Sequence, residues 1–213
     1  PSCPTHPQGT NAVVDTLKRM MFNGSPFAEN NIIIFDRTQY ELQGSGYTIN
    51  TSTAGVRCFA TSSSGVGYST QNYNVNGSTQ KLSRIVTEMC DYLINISVLK
   101  NHGAGGVTLC LKNHYGTCDT PGNMHGGDCD PYIPALNALQ PIRTKQKVNI
   151  IDALYGIRTG GPGGPPQFVA NKLIMSTDIV ATDYWGRRVL QDNGSPTIGQ
   201  AHHIDTAATT YGL

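Results

Sequence analysis

Residues 91–116, DYLINISVLKNHGAGGVTLCLKNHYG, decide how the chain is read. The half DYLINISVLK is dense in Ile, Val and Leu, and with KLSRIVTEM before it supplies a strand pair or a helix–strand pair. The half GGVTLCLKNHYG reads as a short helix entered through glycines.

Moving toward the N-terminus, NNIIIFDR is a short apolar run ending in a charged pair, as a strand buried on both faces reads. GVRCFAT is the next strand. Before them, TNAVVDTLKRMMFNG places Val13, Val14, Leu17, Met20 and Met21 at helical spacing, with Thr10 or Asn11 as cap and Gly24 past the end. Toward the C-terminus, PYIPALNAL is a short helix, KVNIIDALYGI and NKLIMSTD are strands, DIVATDYWGRRVLQD is a helix with Asp178 near its start, and HIDTAATTYG is a last helical piece. Strands alternating with helices predict an α/β fold whose sheet is mixed, mostly parallel and flanked by helices. At 213 residues one core is expected, so 1–213 is taken as a single domain, with 61–80 as a polar Ser/Asn-rich insertion.

Composition narrows the function classes. The 15 basic and 14 acidic residues nearly cancel, which implies no nucleic-acid partner, and no segment is apolar enough to span a membrane. The low charged fraction of 14%, replaced by Ser, Thr, Asn, Gln and Gly, together with six scattered cysteines that form no CxxC, points to an exported protein, extracellular or periplasmic. A signal segment would then have been removed before Pro1. Cys118 and Cys129 bracket a loop whose one hydrophobic anchor is Met124, so a disulfide there is expected. Asn95, a sequon inside the apolar run, is expected to be buried.

Chemistry is expected where strands end. His102 lies just past an apolar run on a glycine-rich turn, and Lys112 follows on the predicted helix. Together they pair a group that moves protons near neutral pH with one that clamps an anion or, when desolvated, acts as a base. They are the candidate catalytic pair. Lys100, Gly105, Gly106 and Asn113 around them, with Asp36 and Asp152 at other strand ends, are the candidate ligand-binding residues. Free N–H groups at the helix start suit a carboxylate or phosphate, so a small anionic ligand is the expected partner. Asn113 also reads as a turn or cap residue, and Lys100 and His114 as rim or packing. His125, Asp128 and Asp130 in NMHGGDCDP could supply an imidazole and carboxylates to a divalent metal ion, the candidate cofactor, although a solvated acidic turn explains them equally well. His202–His203 is a weaker metal pair. Asp183 reads as an ion-pair partner of Arg187 or Arg188, or else as a group projecting into a site; TGGPGGPP reads as a loop lying over something, and no G-x-S-x-G elbow provides a serine nucleophile.

CPTHPQGTNAVVDTLKRMMF, ENNIIIFDRTQYELQGSGYT, LINISVLKNHGAGGVTLCLKNHYG, NIIDALYGIRTGGP and LIMSTDIVATDYWG, in this order, resemble the domain of unknown function 362 family over nearly the whole chain. The core of the likeness is LK-x-H-x-x-x-G-V-T-x-x-x-KN-x-x-G. The resemblance implies a family whose chemistry is unsettled, with exported members and others that carry ferredoxin-type modules; no cysteine cluster run is present here. It also implies a further strand before the THP segment, and hence a sheet edge open to a second copy or an assembly partner. Fainter is a likeness to nickel-dependent lactate racemases. There a histidine serves in acid/base chemistry and a lysine holds the pincer cofactor; His102 and Lys112 match that pair, and His125 loosely matches the metal-ligating histidine. Two functions are thus expected: an enzyme of proton-transfer or metal-assisted type acting on a small anion, or a secreted binding or assembly subunit without catalysis.

Overall fold

A computed structural model describes residues 4–213. Helix α1 (Pro7–Arg19) is followed by the hairpin β1 (Met21–Phe22) and β2 (Ser25–Pro26), then β3 (Ile33–Ile34), α2 (Gln39–Gly44), β4 (Arg57–Cys58) and a second hairpin, β5 (Tyr73–Val75) with β6 (Ser78–Gln80). The central run is β7 (Leu93–His102), β8 (Gly106–Thr108), α3 (Cys110–Asn113), α4 (Tyr132–Asn137), α5 (Gln140–Arg143) and β9 (Gln146–Ile157). The chain closes with β10 (Phe168–Ser176), α6 (Ile179–Asp192) and α7 (His203–Thr209).

The fold is α/β with a mixed main sheet in the order β10-β9-β7-β8. Its central pair, β7 with β9, is parallel, whereas β9–β10 and β7–β8 are antiparallel. The parallel character expected from the alternating elements is therefore met only at the centre of this sheet. Connection length explains it: the β7–β9 crossover holds α3, α4 and α5, whereas β7–β8 and β9–β10 are joined by glycine-rich loops, 103–105 and 158–167, that contain no crossover helix and so join antiparallel neighbours. NNIIIFDR and GVRCFAT do pair in parallel, Ile33 with Arg57 and Ile34 with Cys58. They form a separate small sheet over a satellite core of Leu42, Cys58 and Ala60.

Along β7 alternate residues face opposite ways. Leu93, Asn95, Ser97, Leu99 and Asn101 are buried, and Ile94 and Ile96 are half-buried. The buried face meets α3 and α6 around a core that includes Leu99, Leu109, Leu111, Ile151 and Leu190. Asn95, buried as expected, donates to Cys110 O (2.8 Å). Gly186 lets α6 approach closely, since a Cβ there would stand 2.7 Å from Ile151 Cδ1 and 2.9 Å from Leu109 Cδ1.

Several local expectations shift. Helix α1 begins at Pro7 with His6 as its cap, Gln8 N donating to His6 Nδ1 (3.2 Å). A proline fits the first helical position because its missing N–H would have no partner there. Asp178 caps α6 through Ala181 N (2.8 Å). KLSRIVTEM contains one π-helical turn, Ile85–Met89, ahead of β7. Within the polar stretch 61–80 a hairpin forms, with Val75 and Gln80 fully buried in it.

The disulfide expected between Cys118 and Cys129 is absent. Both are free thiols, as are Cys58, Cys90 and Cys110, while Cys3 lies outside the described residues. The bracketed loop is held by other means: Met124 is completely buried, Tyr115 donates its hydroxyl to Met124 O (2.6 Å), and His125 Nδ1 meets Pro121 O (3.0 Å).

Candidate functional site

The end of β7, helix α3 and the 121–130 loop bring Lys112, His102, His125, Tyr115 and Cys129 together. The side chain of Lys112 is 6% exposed. Its Nζ lies 3.3 Å from His125 Nε2 and 4.2 Å from the centre of the Tyr115 ring. The His125 ring stacks on His102 (centroids 5.5 Å apart, 28° between planes) and stands edge-on to Tyr115 (5.2 Å). No carboxylate among the described residues pairs with this ammonium.

Hydrogen bonding assigns both tautomers. His102 Nδ1 accepts from Ala104 N (3.0 Å) and Gly105 N (3.1 Å), so its proton sits on Nε2. His125 Nδ1 donates to Pro121 O, which leaves the Nε2 lone pair facing Lys112. The cluster is biased against positive charge. Burial, reinforced by Lys112, His125 and Lys100, pushes His102 down to about 3. Burial, opposed by Cys129 and aided by Lys100, brings Lys112 down to about 8, and burial likewise lowers His125.

Two expectations about backbone donors are corrected here. The N–H groups at the start of α3 are not free for an anion, because Cys110 N and Leu111 N donate to Asp183 Oδ1 and Oδ2 (2.8 and 2.9 Å). Asp183 is therefore no ion-pair partner: Arg187 binds Asp205 and Arg188 binds Asp192. Desolvation raises its carboxyl to about 7. In the glycine turn, the N–H groups of Ala104 and Gly105 are taken by His102. Gly106 serves packing, since at φ +73° a Cβ would stand 2.5 Å from Ala201 N. Gly105 lies against the cluster; a Cβ there would meet Cys129 Sγ at 3.2 Å and Lys112 Cε at 3.5 Å.

The remaining candidates separate. Asn113 donates to Asn95 Oδ1 (2.8 Å) and Ile96 O, the structural role that its alternative reading gave it. His114 binds Gln146 Oε1 and is packing. Lys100 is half-buried and acts on His102 and Lys112 through its charge. Asp36 lies beside Gly116 with Oδ1 accepting from Arg37 N (2.6 Å); desolvation raises its carboxyl, and Arg37 N and the charge of Lys100 hold it partly back. Asp152 sits between buried Ile151 and Ala153, so strand alternation turns it to the opposite face of the sheet, where it holds Leu154 N (3.2 Å).

The metal set is not assembled. His125 Nε2 faces an ammonium, Asp130 Oδ2 accepts from Thr206 Oγ1 (2.8 Å), and among the described residues no three His, Cys, Asp or Glu side chains gather for a cation. The Nδ1 lone pair of His102 is saturated as well. These residues do not fit a divalent ion, nor the ligand that the racemase likeness puts at His125.

Three members of the cluster escape sequence reasoning. Tyr115 and Cys129 look like ordinary core residues. His203 looks like half of a metal pair. It is fully buried on α7, neither ring nitrogen has a partner, and burial together with Lys112 and Arg187 holds it near 3. TGGPGGPP docks through Gly161 N on Asn101 Oδ1 (2.8 Å), next to His102 in sequence.

No curated protein and no solved structure matches the chain. The family described as Domain of unknown function (DUF362) matches residues 1–188, a span that contains β7, α3 and every member of the cluster except His203. The chain belongs to the DUF362 family.

Proposed function

We propose that the protein is an enzyme of proton-transfer type acting on a small anionic substrate at Lys112, His125 and His102. The observation that carries this reading is a buried ammonium with no carboxylate partner, hydrogen-bonded to the lone pair of a neutral imidazole. A buried charge is normally paired. Here the pairing is left to a ligand, and the Lys112–His125 contact is a ready path for a proton.

The roles expected from sequence are redistributed. Lys112 keeps the part of anion clamp. His102, whose Nδ1 is saturated, presents an Nε2–H donor to developing negative charge, and the proton acceptor is His125 Nε2. Removing a positioned proton-transfer group typically costs 10²–10⁴-fold in rate. The test is proton NMR of 2-hydroxy and 2-oxo acids in D2O. The wild type is expected to exchange a carbon-bound proton next to the carboxylate or carbonyl, and His125→Ala to exchange at least ~100-fold more slowly. Exchange that is equal in both, or absent with every acid, removes the reading.

The assembly alternative has one observation in its favour. Strand β10 is a sheet edge carrying Val169, Leu173 and Met175 at 70%, 70% and 67% exposure. Unpaired edges of this kind recruit further strands, and a second copy pairing β10 with β10 about a two-fold axis is the simplest occupant. Export, expected from composition, stays part of the proposal without support from a disulfide.

A further inference from the structure

We propose that Lys112 Nζ is a nucleophile that condenses with the carbonyl carbon of a small 2-oxo acid to form an imine. This rests on the proton-transfer reading and names its reacting atom and substrate class.

The argument starts from the surroundings of the amine. A lysine that only clamps an anion gains from every group that strengthens its charge. Lys112 instead sits where burial, and more weakly Lys100, oppose its charge against the contrary pull of Cys129, and its hydrogen-bond partner is an imidazole rather than a carboxylate. Desolvation and a neighbouring cation are the two conditions that turn a lysine into an amine nucleophile. His125 Nε2, 3.3 Å away with its lone pair presented, is placed to take the proton that must leave first. The other nucleophile nearby, Cys129, is kept as a thiol by burial. The class we assign puts the carbonyl at Nζ and the His102 Nε2–H, and the charge of Lys100, which reaches Lys112, His102 and Asp36, favours a carboxylate on the adjacent carbon.

The step balances within these groups. Lys112 ammonium passes a proton to His125. The amine attacks, an N–C bond forms, and the carbonyl π pair moves to oxygen, which takes that proton back. Nitrogen then gives a second proton to His125, the hydroxyl takes it and leaves as water, and the C=N bond closes. Ammonium plus ketone has become a protonated imine plus water, with no oxidant or reductant required.

Pyruvate with sodium borohydride tests it, because hydride reduction of the imine leaves a carboxyethyl group fixed to the lysine. Intact mass should rise by one such group, and the peptide map should place it on Lys112, with Lys18, Lys81, Lys147 and Lys172 in the same digest as internal controls that need no variant. His125→Ala is expected to slow trapping at least tenfold. Labelling spread evenly over these lysines, or none at Lys112 with either pyruvate or glyoxylate, overturns the proposal. Calorimetric titration with pyruvate separates the two levels. Binding without trapping, lost in Lys112→Met, retains the anion clamp and rejects the imine, while neither binding nor trapping rejects both.

Discussion

Four buried groups give the molecule its expected response to acid. His102, His114 and His203 have folded pKa values of about 3, 4 and 3, below the unfolded value, so each stabilises the neutral-pH fold and loses that contribution as pH falls below 6.5. Asp183 runs the other way. Raised to about 7, it favours the fold below its unfolded pKa and loses that advantage as pH rises through 7. At 1.4 kcal/mol per pH unit, each histidine loses about 2 kcal/mol at pH 5, and together they outweigh the opposing gain from one aspartate. The melting temperature should therefore fall between pH 7 and pH 5, and His203→Gln should flatten that slope; a melting temperature that rises toward pH 5 contradicts it. The His102/Lys112 pair could be read from sequence because a glycine turn and a short helix bring near neighbours together. His203 could not, since its approach depends on how α7 packs, far along the chain. His125 reads from sequence as a metal-ligand candidate, whereas its contacts are with Pro121 O and Lys112 Nζ, a pairing with the lysine that no spacing rule foretells.

Helix α3 has only four residues, too few to hold itself. Asp183 on α6 supplies its cap from another element. Asp183→Asn retains one acceptor and turns an NH2 toward a backbone N–H, so it should destabilise by about 1–3 kcal/mol in urea unfolding. Gly186→Ala tests the contact one turn further along the same face of α6, against Ile151 and Leu109. Overpacking there should cost about 1–3 kcal/mol, and Gly106→Ala, with backbone rather than methyl groups in the way, should cost more. An unchanged urea midpoint for Gly106→Ala would contradict the observed approach of residues 197–201. At this scale much was legible: the segments read for β7, α4, β9, β10, α6 and α7 form close to where periodicity put them, whereas GGVTLCLKNHYG, read as one helix, divides into β8 and α3. What it hid was strand direction, because RTGGPGGPPQ can be recognised as a loop without revealing that it closes a hairpin.

For the whole molecule, the described thiols are all free, so the unfolding midpoint should be the same with and without dithiothreitol. A downward shift on reduction would indicate a bridge. If the β10 edge pairs two copies, light scattering should report a dimer that Leu173→Lys with Met175→Lys converts to a monomer; a wild-type monomer at all concentrations discards that reading. Composition made the low charge and the scattered cysteines plain, but pairing of thiols is a matter of distance, and a loop that buries Met124 has no need of a bridge. The cap that α6 places on α3 also has a consequence for synthesis. On a ribosome, α3 emerges some seventy residues before Asp183 does. A nascent chain can complete its main-sheet pairings up to β10 and still carry Lys112 on an unsecured turn, so the surroundings of this lysine are fixed only once α6 has been made.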